Sequence, residues 1–301
     1  IKLNVKQRSF ILDSQNVDLF IQKEVQKIKN INVLIDLRTF FNRDNKIKKI
    51  IINSKENDII DLLTFIRAYK ISIPALYLEN SVSKGKIKYD IVINYDDKNK
   101  EHIGISGKII DTKLDILGKE KFDNINFNFS YENQNLLITN LKFKYNEIDF
   151  KSKKIKSNIK KNLINIEGDF QNKLDNKLLS KFSDIPIYQF LDKKNIFLSN
   201  SNFKIIFNKK LKIKDYKIER KIDLKKLTFT IKNNHIKNYF TDFKNQITLT
   251  GGSLNFNLNN KNKINLKIKS KYFLNENQKP KNILIKYLKL NLFEKYELDI
   301  D

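Results

Sequence analysis

The chain has 301 residues, enough for one or two compact domains or for one large sheet. It contains no Cys, which excludes disulfides, thiolate nucleophiles and thiolate zinc sites together. Its formal charge is +25, yet only five of 59 basic residues are Arg (Arg8, Arg38, Arg43, Arg67 and Arg220), so the bidentate fork favoured for phosphate and guanine is scarce.

Residues 1–12 read as the end of a strand, carried by Leu3, Val5 and Phe10. With no Met, and a start at Ile1 inside such a strand, the sequence reads as a fragment of a longer chain. It has no signal peptide and no run of about twenty apolar residues, and an anchor is expected upstream of Ile1. Ile31–Leu37 alternates apolar and polar positions, and Lys46–Ile52 supplies a third strand. The period then changes. Ile59, Leu62, Leu63, Ile66 and Tyr69 or Lys70 fall at helical spacing, with Ser54 as the expected N-cap, Glu56 and Asp58 at the positive end of the dipole, and Pro74 at the exit. The polar side of this helix mixes acids with Arg67, which fits a cap on an apolar sheet face better than a membrane-surface helix.

From Gly85 to Phe170 the period is two. Ile87, Tyr89, Ile91, Ile93 and Tyr95 alternate with Lys86, Lys88, Asp90 and Asn94, so one face is apolar and the other charged. The pattern returns at Ile103, Ile105 and Ile109, then at Ile125, Phe127, Phe129 and Tyr131, at Leu141, Phe143 and Tyr145, at Ile148 and Phe150, and at Ile164, Ile166 and Phe170. Polar clusters at 96–99 and 132–135 suit hairpin turns. Leu174, Leu178, Leu179 and Phe182 read as a second short helix ending before Pro186. A second meander follows, with Phe203, Ile205 and Phe207, then Ile222 and Leu224, Leu227 and Phe229, Ile247 and Leu249, Leu254 and Phe256, and Leu266 and Ile268. No Pro/Gly/Ser linker interrupts it. The expected organisation is residues 1–75 as strands plus an amphipathic helix, then 76–301 as one continuous β-meander with a helical insertion near 174–183.

The fold class is therefore mainly β: a long curled antiparallel sheet, a U-shaped groove, with two short helices. Mean hydropathy is low at −0.51, but 11% aromatic content and sustained alternation argue against disorder. Lys residues alternate along the strands among 34 acids, which reads as a solvated face; a surface for nucleic acid or another anionic polymer is the alternative. A dozen strands spaced by about 4.8 Å make a sheet roughly 55–60 Å wide, more than two helices cover. Such a face must close into a barrel, meet a second sheet, or hold something apolar. Few glycines favour the open trough over closed forms with tight turns.

Little in the sequence carries chemistry. His102 and His235 lie far apart, without Cys or a second His nearby, and read as strand or turn residues. Asp96-Asp97 lacks the staggered ligands of a calcium loop and reads as a hairpin turn. Gly104 and Gly107 precede no helix, so they read as strand glycines. No nucleophile motif, paired carboxylates, metal site or cofactor signature is present, and the expectation is a protein that is not an enzyme.

The run Pro74-Ala75-Leu76-Tyr77-Leu78-Glu79-Asn80 followed by Gly85-Lys86-Ile87-Lys88-Tyr89 resembles the helix, exit loop and Gly-Lys strand of AsmA-like proteins, which include the TamB and YhdP types. Ile109–Leu114, Phe122–Phe129, Leu136–Phe143 and Ile222–Leu227 are similar to that family's strand cadence. The resemblance covers most of residues 31–270. It implies a bridge-like lipid-transfer protein of the cell envelope, anchored to the inner membrane and exposed to the periplasm. Phospholipid acyl chains would lie in a groove lined by Ile91, Ile93, Ile105, Phe127, Phe129, Ile166, Ile205, Phe207 and Phe229. The implied partners are phospholipid, a membrane and other envelope proteins, with no nucleic acid and no cofactor. A structural β scaffold of the envelope is the alternative from a different class.

Overall fold

The computed structural model describes residues 2–4, 9–37, 47–69, 73–96, 100–116, 118–160, 162–175, 196–208, 210, 212–230, 246–259, 265–273 and 296–300. The chain is mainly β: an open antiparallel sheet with two short helices. It divides into two compact units, Ile1–Asn146 with Lys151–Ile166, and Glu147–Phe150 with Glu167–Asp301. In the first unit, β1 (Lys2–Asn4), β2 (Ser9–Ile21), β3 (Glu24–Asp36) and β4 (Ile47–Ser54) pair in sequence order. The chain then leaves the sheet through β5 (Asn57–Asp58), α1 (Ile59–Tyr69) and α2 (Ile73–Ser81). It returns beside β4 as β6 (Val82–Tyr95), and β7 (Glu101–Ile116), β8 (Glu120–Glu132) and β9 (Asn135–Tyr145) follow.

Alternation in the sequence becomes a two-faced sheet because the register matches the parity of neighbouring strands. Ile31, Ile52, Ile91, Ile105, Tyr131 and Leu136 stand directly opposite one another across β3, β4, β6, β7, β8 and β9. A second row runs Leu12, Val33, Ile50, Ile93, Ile103 from β2 to β7. The opposite face carries rows such as Asn30, Asn53, Asp90, Ser106 and Ser130, in which the Asn53 amide donates to Asp90 at 2.7 Å. The β8–β9 turn is made by Asn133 and Gln134, both at positive φ (48° and 64°), the geometry of a tight two-residue hairpin. Scarcity of glycine therefore does not mean absence of tight turns here, because Asn and its neighbours adopt the left-handed region instead.

α1 lies over one end of the apolar face. Ile59 and Leu63 are buried against Ile28, Ile87 and Tyr89, with Val17, Leu19 and Ile52 at the margin. Burying a side chain of this size contributes about 1.5–3 kcal/mol, and burial in turn holds the Tyr89 phenol above its usual pKa. Ile66, on the same expected stripe, is exposed. The helix starts at Ile59, so Ser54 is not its N-cap. Ser54 is the buried last residue of β4, and its hydroxyl accepts the Tyr89 N–H at 2.7 Å. Pro74 does not mark an exit either. It sits in the first turn of α2, where its missing N–H costs nothing and its fixed φ suits the helix. Arg67 of α1 and Glu79 of α2 form an ion pair at 2.9 Å.

Asn57 fixes this corner. Its side-chain amide accepts the Lys27 N–H at 3.0 Å and donates to the carbonyls of Lys27 (3.2 Å) and Lys55 (3.0 Å). Beyond Ser54 the Lys55 N–H still reaches the Lys27 carbonyl at 3.0 Å, and the buried amide supplies the acceptor for the Lys27 N–H.

In the second unit β12 (Ile196–Asn208), β13 (Ile213–Thr230), β14 (Gln246–Asn259), β15 (Asn265–Phe273) and β16 (Tyr296–Ile300) pair antiparallel in order. β10 (Ile148–Lys160) and β11 (Leu163–Asp175) divide between the two units. Leu174 closes β11 and is not helical; the remainder of the expected helix to 183 lies outside the described residues.

Two substitutions test the corner. Leu63→Asp is expected to cost at least about 3 kcal/mol, as a buried unpaired charge does, seen as a lowered melting temperature. Unchanged melting with weakened liposome binding would put α1 on a membrane surface instead. Asn57→Ala is expected to cost about 1–3 kcal/mol through the unsatisfied Lys27 backbone, measured by urea denaturation.

Candidate functional site

The register places five of the expected groove residues on one face of the first unit. Ile91 and Ile93 of β6 stand opposite Ile105 and Ile103 of β7, and Phe127 and Phe129 of β8 stand opposite Ile109 and Gly107. Sequence patterning alone did not select their partners in the rows, Leu12, Val33, Ile50, Ile52, Ile103, Tyr131 and Leu136, although their parity within each strand was the available signal. Exposure divides this face in two. Under α1 the side chains of Ile28, Ile87 and Tyr89 are buried. Away from α1, Val33, Ile50, Ile93, Ile105 and Phe127 are only half-buried, and Phe129, also half-buried, packs against the cluster beneath α1. Leu12, Ile103 and Tyr131 are 39%, 42% and 38% exposed despite standing in apolar rows.

Interior strands of a sandwich or barrel bury such rows fully. Among the described residues this exposure is that of a first-unit sheet face without a second layer beyond α1. The six-strand row spans about 24 Å at the usual strand spacing, compared with about 15 Å for the acyl layer of one leaflet. Shape is adjusted locally by two glycines. Gly85 has φ +150°, and a Cβ there would lie 2.2 Å from the Thr112 hydroxyl, at a register shift between β6 and β7. Gly107 admits the Phe129 ring. A Cβ at Gly107 would come within 2.7 Å of that ring and 2.5 Å of the Lys88 carbonyl oxygen. Phe129 in turn meets Phe127 edge-on at 6.3 Å.

The opposite face is solvated and basic. Lys88 is exposed and stands opposite Lys108, while acids elsewhere pair across strands, as Lys84–Asp111 (2.8 Å) and Lys113–Asp123 (3.0 Å) do.

In the second unit Phe203, Ile205 and Phe207 share one face of β12, half-buried, while Lys204 is exposed on the other. Phe170 of β11 stacks on Phe203 at 5.1 Å and meets Phe150 edge-on at 6.3 Å. Phe229 pairs with Ile247 in the β13–β14 ladder, and its side chain lies outside the described residues. Ile166, which belongs to the first unit, is half-buried on β11. Sequence reading passed over Arg220, which stands between Ile218 and Ile222 on the same face of β13 as these apolar residues. Its parity within β13 was the signal.

His102 is exposed, with Nε2 3.7 Å from the Asp96 carboxylate. Asp96 closes the β6–β7 turn by accepting the Lys100 N–H at 2.8 Å. His235 lies outside the described residues. Among the described residues no group of three or more His, Asp or Glu is placed to hold a metal ion, and no helix is long and apolar enough to cross a membrane. At the α1 end of the first unit Phe20, Ile66, Tyr69, Leu76, Tyr77 and Leu78 are exposed. No family model, no curated protein and no solved structure matches the chain.

The two strand glycines of β7 are expected to differ sharply. Gly107→Ala forces the Phe129 ring and the Lys88 carbonyl apart and should cost about 1–3 kcal/mol, as overpacking does. Gly104→Ala, whose Cβ would lie 3.9 Å from its nearest neighbour, should leave stability unchanged or slightly raised. Thermal melts of the two variants side by side check this.

Proposed function

We propose that this chain is a non-enzymatic lipid-transfer protein that carries acyl chains on the apolar sheet face. The observation that supports this reading is the set of in-register apolar rows in the first unit, which no second layer among the described residues covers beyond α1. An apolar surface of this extent calls for an occupant, and an acyl chain matches it in polarity and length. Each methylene moved from water to such a face gains about 0.8 kcal/mol. The gain is non-directional, so a chain can slide along the rows without a fixed site. No residue performs a reaction. Lys and Asn on the opposite face keep that side wet. The resemblance to AsmA-like proteins extends the proposal to the cell envelope, with the protein anchored at the inner membrane and moving phospholipid towards the outer one.

The test is lipid occupancy and melting temperature measured together on Ile93→Asp, Phe127→Asp and Lys88→Asp. Ile93 and Phe127 suit this better than Ile91, which packs against the core beneath α1. A carboxylate on an open face can draw water in. The two inward variants are therefore expected to fold with a melting temperature a few degrees lower, and to lose at least about threefold in co-purified lipid, read by mass spectrometry of an organic extract. Lys88→Asp should change neither, since it replaces one of two facing lysines on the solvated side. A parent without bound lipid, together with inward variants that unfold, would leave a closed structural core and overturn the proposal.

A further inference from the structure

A third row crosses the apolar face of the first unit: Val82, Leu114, Phe122 and Tyr145 stand directly opposite one another from β6 to β9. Leu114 packs against the cluster beneath α1, so Phe122 and Tyr145 lie on that same face. Towards β9 the row becomes aromatic. Phe122 stacks on Tyr145 at 5.0 Å and meets Phe143, two residues back on β9, at 5.8 Å with a tilt of 59°. All three rings are half-buried. Glu120 stands two residues before Phe122 on β8 and so shares its face. It is exposed, and its carboxylate accepts the Tyr145 hydroxyl at 2.5 Å. Among the described residues no lysine or arginine reaches that carboxylate, although Lys119 and Lys121 flank it in the chain. Cross-strand packing accounts for the rings by themselves, but gains nothing from an acid tied to their edge. The hydroxyl orients the carboxylate without adding positive charge. Ring faces carry negative potential, so rings and carboxylate together form a setting that a cation prefers.

Resting on the lipid-carrying reading above, we propose that Phe122, Phe143, Tyr145 and Glu120 hold the ammonium head of an amphiphile whose tail runs towards Phe127 and Phe129. From Phe122 to Phe129 the strand advances about 20 Å, enough for the acyl layer of one leaflet at about 15 Å. The head lies where the strand ends in the exposed Glu120, and the tail follows the apolar side of β8. The ligand class is a hydrocarbon chain carrying an alkylammonium, either the quaternary ammonium of a choline lipid or the primary ammonium of an ethanolamine lipid. A quaternary head touches ring faces through its methyl groups, whereas a primary one donates N–H to the Glu120 carboxylate.

The experiment measures binding of three probes to the full chain, in about 0.15 M salt to screen the surface lysines. Dodecyltrimethylammonium, dodecylammonium and dodecanol share one tail and are titrated below micelle formation. At least one cationic probe is expected to bind about fivefold tighter than dodecanol, against the general repulsion of a chain of charge +25. Which of the two binds tighter tells a choline head from an ethanolamine head. In Glu120→Gln the preference should fall to about twofold or less, while dodecanol binding stays within about twofold. Glu132→Gln removes the same charge from the far end of β8 and should leave the preference as it was. Phe122→Leu keeps an apolar side chain without the ring and should at least halve the preference; should it fail to fold, Phe143→Leu makes the same test. A preference that survives in Glu120→Gln or in the ring variant, or that falls equally in Glu132→Gln, overturns the assignment. A parent that binds cationic and neutral probes alike removes the ammonium site and leaves lipid carrying intact, whereas a parent that binds none removes both.

Discussion

The first unit depends on what happens to the backbone of Lys27 where β4 ends. An N–H left unpaired beside a buried strand would cost about 1–3 kcal/mol. The Asn57 side chain accepts the Lys27 N–H, while the Lys27 carbonyl takes both the Lys55 N–H and the Asn57 amide, and this lets the chain leave the sheet without leaving a hole in the ladder. Its departure at that point brings Ile59 and Leu63 down on Ile28, Ile87 and Tyr89. The same event sets the cover of the apolar face. Eleven residues of α1 reach the end of the face near β2, β3 and β6, and the rows beyond it stay half-exposed.

Period-two alternation made the strands legible, because each reads out directly which side chains share a face. It also made five of the nine expected groove residues legible as neighbours, since equal parity across a registered antiparallel ladder leaves no other arrangement. Local signals did worse where they competed with tertiary pairing. Ser54 has the chemistry of a helix N-cap, but its hydroxyl is claimed by the Tyr89 N–H of a strand thirty-five residues on. Pro74 ends helices when it falls in their interior, yet within a first turn it begins one. Asn57 carries no signal of its own in the sequence, and nothing in its neighbours shows that it supplies the acceptor a strand would have given.

Charge distribution follows the same two-faced logic. The high net charge suggested a polyanion surface, but several described lysines are matched across strands by acids, as in Lys86–Glu56 at 2.8 Å. Exposed pairs of this kind contribute little to stability. Their effect is on which face stays wet. Facing lysines such as Lys88 and Lys108 repel each other and any second sheet that would stack there, so that face is poorly suited to becoming the core of a sandwich.

An open apolar face is a liability unless the fold controls what reaches it. In this molecule α1 occupies one end of the first unit's face, and the side chains beneath it are the buried ones. Among the described residues the rest of that face is made of apolar rows that stay partly exposed. In the second unit the corresponding strand face is different in kind. Serines and an arginine are placed among aromatic side chains, and their hydrogen bonds are directional where apolar contact is not. A face of uniform apolar rows offers contact without direction, whereas a guanidinium bonded to its acceptors is fixed in one geometry. Packing in one unit and hydrogen bonding in the other thus order their inward side chains by different means.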